Sequence, residues 1–173
     1  MANKFQQATP EGAAHTETNT WITPKWVIDK IGISDLDPCG WLPSGNAITE
    51  TAHRYYTKET DGLRQPWACD YKTIFVNFPY SDSYKWLKKC HEEAAKGAEI
   101  IVLCFARTET KAWAHFVKSA TGINFITRRI KFLTGEGIEK TNGNAPSCLI
   151  AWGENAYTRI KNIDGIYVRI DNN

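Results

Sequence analysis

The chain has 173 residues, 42% of them apolar and 23% charged, and a net charge of +2. That is about one domain's length, with enough apolar content to bury a core, which excludes a chain disordered throughout. No apolar run approaches the roughly 18–20 residues of a membrane span, and residues 1–20 are polar without a hydrophobic signal segment, so no membrane partner is expected.

Residues 1–19 read as a flexible tail. Thr23-Pro24 opens a helix, with Thr23 as N-cap and Pro24 at the first helical position. Trp26, Val27 and Ile31 form its apolar side and Gly32 ends it. Residues 33–37 alternate apolar and acidic side chains, a short strand that stops at the turn Asp37-Pro38-Cys39-Gly40. Residues 41–66 are mostly loop, with Pro43, Ser44, Gly45 and Asn46 as turn formers and a short strand over 55–57. The run 72–77 (KTIFVN) is a strand that stops at Phe78-Pro79. A helix over 83–96 follows, capped by Ser81 or Ser83 and closed by Gly97, with Trp86, Leu87, Cys90 and Ala94 inward. Residues 99–105 (EIIVLCF) have the unbroken apolar character of a strand buried on both faces. The remaining pattern predicts a helix over 110–119 with Trp113, Phe116 and Val117 inward, strands over 122–126, 130–132, 147–152 and 166–170, and a polar Gly/Asn-rich loop over 134–146. Alternating strands and helices predict an α/β fold: a mostly parallel sheet with helices on both faces and an antiparallel edge hairpin from the last strands.

The five cysteines, Cys39, Cys69, Cys90, Cys104 and Cys148, include no C-x-x-C pair. Free thiols in a reducing compartment are expected, with Cys90 and Cys104 as core residues and no metal site. His15, His53, His91 and His115 lack metal-ligand spacing and read as structural or surface residues.

Ligands of open α/β sheets bind at the carboxyl ends of strands. Two predicted strand ends carry unusual tetrapeptides, Asp37-Pro38-Cys39-Gly40 and Asn77-Phe78-Pro79-Tyr80. Asn77 offers a neutral acceptor oxygen at a strand tip, and the Phe78 carbonyl offers a second. Two acceptors facing an exocyclic amine hold its hydrogens and favour a nucleophilic nitrogen. Pro79 stiffens the turn and Tyr80 supplies a ring for the heterocycle. This is electrostatic preorganisation without a strong base. An adenine in a duplex reaches such a pocket only when flipped out.

These segments lie in a longer ordered set: Trp21-Ile22-Thr23-Pro24, Leu36-Asp37-Pro38-Cys39-Gly40, Asp61-Gly62-Leu63-Arg64-Gln65-Pro66-Trp67, Asn77-Phe78-Pro79-Tyr80-Ser81, Arg107-Thr108-Glu109-Thr110-Lys111, Arg129-Ile130-Lys131-Phe132 and Ala145-Pro146-Ser147. In that order they resemble the phage-type, Dam-like DNA N6-adenine methyltransferases with the gamma motif arrangement. The resemblance implies a Rossmann-like S-adenosylmethionine-dependent methyltransferase fold, DNA as partner, and a cytoplasmic place of action in a bacterial host. It implies Asn77, Phe78, Pro79 and Tyr80 as the catalytic turn. Trp21, Thr23, Pro24, Asp37, Pro38, Cys39, Gly40 and Asp61 would then meet the cofactor, with Asp61 at its adenine. Either Glu50 or Glu59 would hold its ribose.

Two departures stand out. Phe78 occupies a position usually held by proline, and the cofactor loop lacks a tight G-x-G. They motivate a second reading, a degenerate methyltransferase that binds cofactor or DNA without transfer; a third is transfer to RNA adenine or to a protein glutamine amide. Charge is uneven: residues 1–66 hold six Lys/Arg and eight Asp/Glu, whereas 84–135 hold ten and four. A basic second half predicts a phosphate-binding face, with Ser81, Arg107, Lys111, Arg128, Arg129 and Lys131 as DNA-binding candidates. One domain over 21–173 leaves no separate recognition domain. Recognition is then expected from the loops at 41–66 and 134–146, or from a second copy of the chain in a homodimer.

Overall fold

The computed structural model describes residues 21–42, 47–140 and 145–171. The tail at 1–20, the turn formers Pro43 to Asn46 and the middle of the loop at 134–146 lie outside the described residues. The elements run α1 (Lys25–Ile31), β1 (Ser34–Asp37), β2 (Ala52–Tyr55), β3 (Thr73–Val76), α2 (Ser83–Ala94), β4 (Glu99–Phe105), α3 (Lys111–Phe116), β5 (Gly122–Ile126), β6 (Ser147–Trp152), α4 (Glu154–Ile160) and β7 (Gly165–Arg169). Seven strands form one sheet in the order β2-β1-β3-β4-β6-β5-β7. The β2-β1-β3-β4 half is parallel, while β6 is antiparallel to both β4 and β5, and β7 is antiparallel to β5. Since β6 opposes both neighbours, β5 points the same way as β4. The carboxyl ends of β1, β3, β4 and β5 therefore share one edge.

Side-chain alternation on β4 explains the layers. Ile100, Val102 and Cys104 face one core, with Trp86, Leu87 and Cys90 of α2 and Ala112 of α3. Ile101 and Leu103 face the other, with Val27, Ile28 and Ile31 of α1 and Ala156, Tyr157 and Ile160 of α4. Covering both faces requires the continuous apolar run at 99–105. Within this second layer Arg159 ties α4 to α1: it donates to the carbonyls of Ile31, Gly32 and Ile33 and so closes the end of α1.

Several expectations change. The edge hairpin does not form: β6 lies inside the sheet, β7 pairs with β5, and α4 lies between them in sequence. The signal for α4 was its spacing of Ala156, Tyr157 and Ile160 after Gly153, whose φ of 97° suits glycine. No sheet strand forms at 130–132. Ile130 and Phe132 are buried against the α1 side of the sheet, and the backbone makes only isolated bridges, Leu133 with Ile22 and with Glu139. The short strand at 55–57 lies earlier, at Ala52–Tyr55, in register with β1. Thr23 does not cap α1. Pro24 is the N-cap, because the Thr23 hydroxyl is engaged elsewhere. Neither Ser81 nor Ser83 caps α2, whose N-cap is Asp82.

Candidate active site

The Asn77–Tyr80 turn begins where β3 ends. The Asn77 side chain is aimed by its amide nitrogen, which donates to the Trp21 carbonyl at 2.5 Å and to the Thr23 hydroxyl at 3.0 Å. With both donors engaged, its Oδ1 points the other way, buried and without a hydrogen-bond partner. The Trp21–Pro24 segment is thus brought to the turn, and Thr23, 1% exposed, acts on Asn77.

Phe78 is buried, with its ring nearly parallel to Trp86 (9°, centroids 6.4 Å apart). Tyr80 stacks on Phe105 at 4.1 Å and 12°, and meets Trp21 edge-on at 6.0 Å. Phe105, at the tip of β4, thus covers one face of Tyr80. The sequence reading did not include Phe105; its signal was an aromatic residue closing a buried strand. The Tyr80 hydroxyl is buried without a partner, and burial holds its pKa well above the ordinary tyrosine value.

The loop after β1 lies beside this turn. Burial and the neighbouring Asp37 hold the Cys39 thiol pKa well above its ordinary value, against the opposing pull of the Asn77 backbone N–H. Asp37 is buried, accepting from the Thr51 hydroxyl at 2.6 Å and from the Cys39 N–H at 3.0 Å. Burial raises its pKa, against those two hydrogen bonds. Its carboxylate shapes the loop from within, and Thr51, which the sequence did not flag, is its anchor.

Asp61 sits on a neighbouring turn at φ 50°, in the left-handed region that Asp tolerates better than most residues. Its carboxylate is half exposed, accepting from the Leu63 N–H at 3.3 Å and facing Arg64 at 3.3 Å. Next to it, a Cβ on Gly62 would lie 1.9 Å from the Pro38 carbonyl oxygen, so only glycine lets the two loops touch. The Trp67 indole N–H holds the Gly62 carbonyl at 2.8 Å. Glu50 is exposed just before β2, and the Glu59 carboxylate accepts from the Thr57 hydroxyl at 2.6 Å.

The DNA-binding candidates follow the carboxyl ends of β3, β4 and β5, but differ in their engagement. Ser81, Arg107 and Lys111 are exposed, with Arg107 3.8 Å from Glu109. Arg128 lies 3.5 Å over the Trp26 ring and Lys131 pairs with Glu139 at 3.1 Å. Arg129 is exposed on the same segment. Of the histidines, His91 shares a 2.7 Å contact with Ser119, a structural role. Among the described residues, no three of His, Cys, Asp and Glu come together as a metal site. None of their helices is long and apolar enough to cross a membrane.

A family model described as DNA N-6-adenine-methyltransferase (Dam) matches residues 12–167. The chain belongs to the Dam family. No curated protein matches it. The match spans the α/β sheet from α1 into β7, so the Rossmann-like methyltransferase fold and the family stand together. As a Dam-family chain it is a methyltransferase at the level of its family, and the Asn77–Tyr80 turn lies at the edge shared by the carboxyl ends of β1, β3, β4 and β5.

Proposed function

We propose that this Dam-family protein transfers the methyl group of S-adenosylmethionine to the N6 amine of an adenine flipped out of DNA. One atom carries the reading. Oδ1 of Asn77 is buried and unpartnered while the amide nitrogen beside it has two partners. An unsatisfied buried acceptor costs about 1–3 kcal/mol, and this one stands at the carboxyl end of β3, where an incoming N–H would offset that cost. Oδ1 and the Phe78 carbonyl would each take one N–H of the amine and leave its lone pair directed at the methyl group. Tyr80 would stack the base on the face turned away from Phe105. The excess proton on nitrogen leaves to water after transfer.

The chain's residues fit the cofactor. The first-strand loop (Asp37, Pro38, Cys39, Gly40) touches the Asp61-Gly62 turn, and the half-exposed Asp61 carboxylate can accept from an adenine amine. Trp21 and Thr23 hold Asn77 and, with Pro24, would meet the methionine end. When bound, S-adenosylmethionine supplies the electrophilic methyl; orientation and water exclusion fall to these residues.

The test is direct. Purified protein is incubated with S-adenosylmethionine and adenine-containing DNA, RNA or protein in parallel, and products are read by mass spectrometry. N6-methyladenine in DNA, with an upward thermal shift in S-adenosylhomocysteine, is the expected result. Transfer confined to RNA or protein, or binding without transfer to any substrate, overturns it.

DNA would lie along the exposed cations at the β4–α3 connection. Changing both Arg107 and Lys111 to alanine is expected to weaken binding to all DNA sequences alike. The slope of log affinity against log salt should fall by about 2. An unchanged slope would place the phosphates elsewhere.

A further inference from the structure

Phe78 departs from the usual proline, and the structure gives its ring a place. Phe78, Trp86 and Trp67 are 2%, 7% and 0% exposed and form a continuous stack: Phe78 on Trp86 at 9°, Trp86 on Trp67 at 26°. The far end of the stack is tied to the other half of the site. Trp67 donates its indole N–H to the Gly62 carbonyl, and Gly62 packs directly on the Pro38 carbonyl. The Trp67 and Ala68 backbone N–H groups are themselves held by the buried Glu93 at 3.1 and 2.8 Å.

We infer that Phe78 is a positioning residue. Through Trp86 and Trp67 its ring couples the carbonyl facing the amine to the Asp61-Gly62 turn facing the cofactor, so the two half-sites are set together. The inference rests on the proposed methyl transfer and adds to it. A proline would stiffen the turn alone, whereas a buried ring in offset stacking fixes the turn against a second element. Packed aromatic contacts of this kind transmit displacement because the interior is close-packed. A change at one end of the stack is therefore felt at the other.

The test is a double-mutant cycle on the full chain. Phe78→Leu keeps an apolar side chain and removes the ring; Trp67→Phe keeps a ring and removes the indole N–H to Gly62. Each is expected to lower kcat about tenfold and to raise the Kd for S-adenosylhomocysteine about threefold. The double variant should lose no more than the worse single one. Phe78→Pro should behave like Phe78→Leu, and Trp86→Phe should recover most of what Trp86→Leu loses. Fully additive losses, or an unchanged Kd for S-adenosylhomocysteine in Phe78→Leu, overturn the coupling. A variant whose melting temperature falls is assayed at a temperature where it is folded; wild-type constants there also overturn it. If the wild-type protein transfers no methyl group, the proposed function fails on its own. The coupling is then decided by S-adenosylhomocysteine affinity across the same variants.

Discussion

Replacing Asn77 with alanine is expected to lower kcat for methyl transfer by roughly 10²–10³-fold, the usual consequence of losing one preorganised polar contact to reacting atoms. The reasoning starts from which atoms are engaged. The amide nitrogen is held by the Trp21 carbonyl and the Thr23 hydroxyl, so the side chain cannot turn its oxygen away from the pocket. Alanine removes the acceptor for the amine and releases the Trp21–Pro24 segment from the turn. Stability should change little. Two hydrogen bonds worth about 1 kcal/mol each are lost, but so is an oxygen buried without a partner. Single-turnover transfer with enzyme in excess isolates the chemical step from DNA binding. S-adenosylhomocysteine affinity is expected to stay within a fewfold of wild type. Transfer within tenfold of wild type would mean that the amine is oriented by other groups.

Replacing Glu93 with alanine is expected to destabilise the fold by about 3–5 kcal/mol, the range for removing one partner of a buried charged network. Glu93 is fully buried on α2, accepts from the Trp67 and Ala68 N–H groups, and pairs with Lys89 at 2.9 Å and Lys96 at 2.8 Å. Without it, two backbone donors and the Lys89 ammonium lose their acceptor. Burial alone would raise its pKa. The contacts with Lys96, Ala68, Lys89 and Trp67 outweigh burial and bring it from 4.5 to about 2.

The folded-state value is the lower one. The contribution is therefore complete above about pH 4.5 and is lost as pH falls towards 2. At about 1.4 kcal/mol per pH unit, and discounting the Lys96 share because that side chain is 58% exposed, about 2–3 kcal/mol is at stake. Glu93→Gln has no such titration. Urea unfolding of wild type and Glu93→Gln should differ by less at pH 2.5 than at pH 6. A difference constant with pH would show that folding leaves the Glu93 pKa unshifted. Because Glu93 holds the segment that holds Gly62, weaker S-adenosylhomocysteine binding is expected in the same variant.

Much of the fold was legible because local spacing encodes it. Strand β4 has no alternation, which only a strand covered on both faces can sustain, and its bounds match the apolar run at 99–105. The inward face of α2 follows from 3.6-residue spacing at Trp86, Leu87 and Cys90, yet Glu93 is also buried on it. A carboxylate looks solvent-facing in any local pattern; its burial depends on Trp67, 26 positions earlier. The edge hairpin failed for the same reason. Alternation identified β6 and β7 as strands, but their placement depends on helix α4 returning the chain across the sheet to the far side of β5.

For the site, the sequence by itself determined the chemical types and their order: an acceptor at the tip of β3, a ring three residues on, and acidic turns after β1 and before β3. These are carried by contiguous residues whose backbone is restricted by neighbouring proline and glycine. Only the tertiary structure decided what those groups face. Thr23 reads locally as a helix cap, but its hydroxyl takes the Asn77 amide from 54 positions away. Asp37 reads as a ligand contact, but Thr51 and Cys39 occupy its carboxylate. Tyr80 reads as a free stacking surface, but Phe105 covers one side. A polar group or a ring has few partners to spend. Which ones it spends them on depends on residues that meet only when the sheet closes, and no local spacing records that.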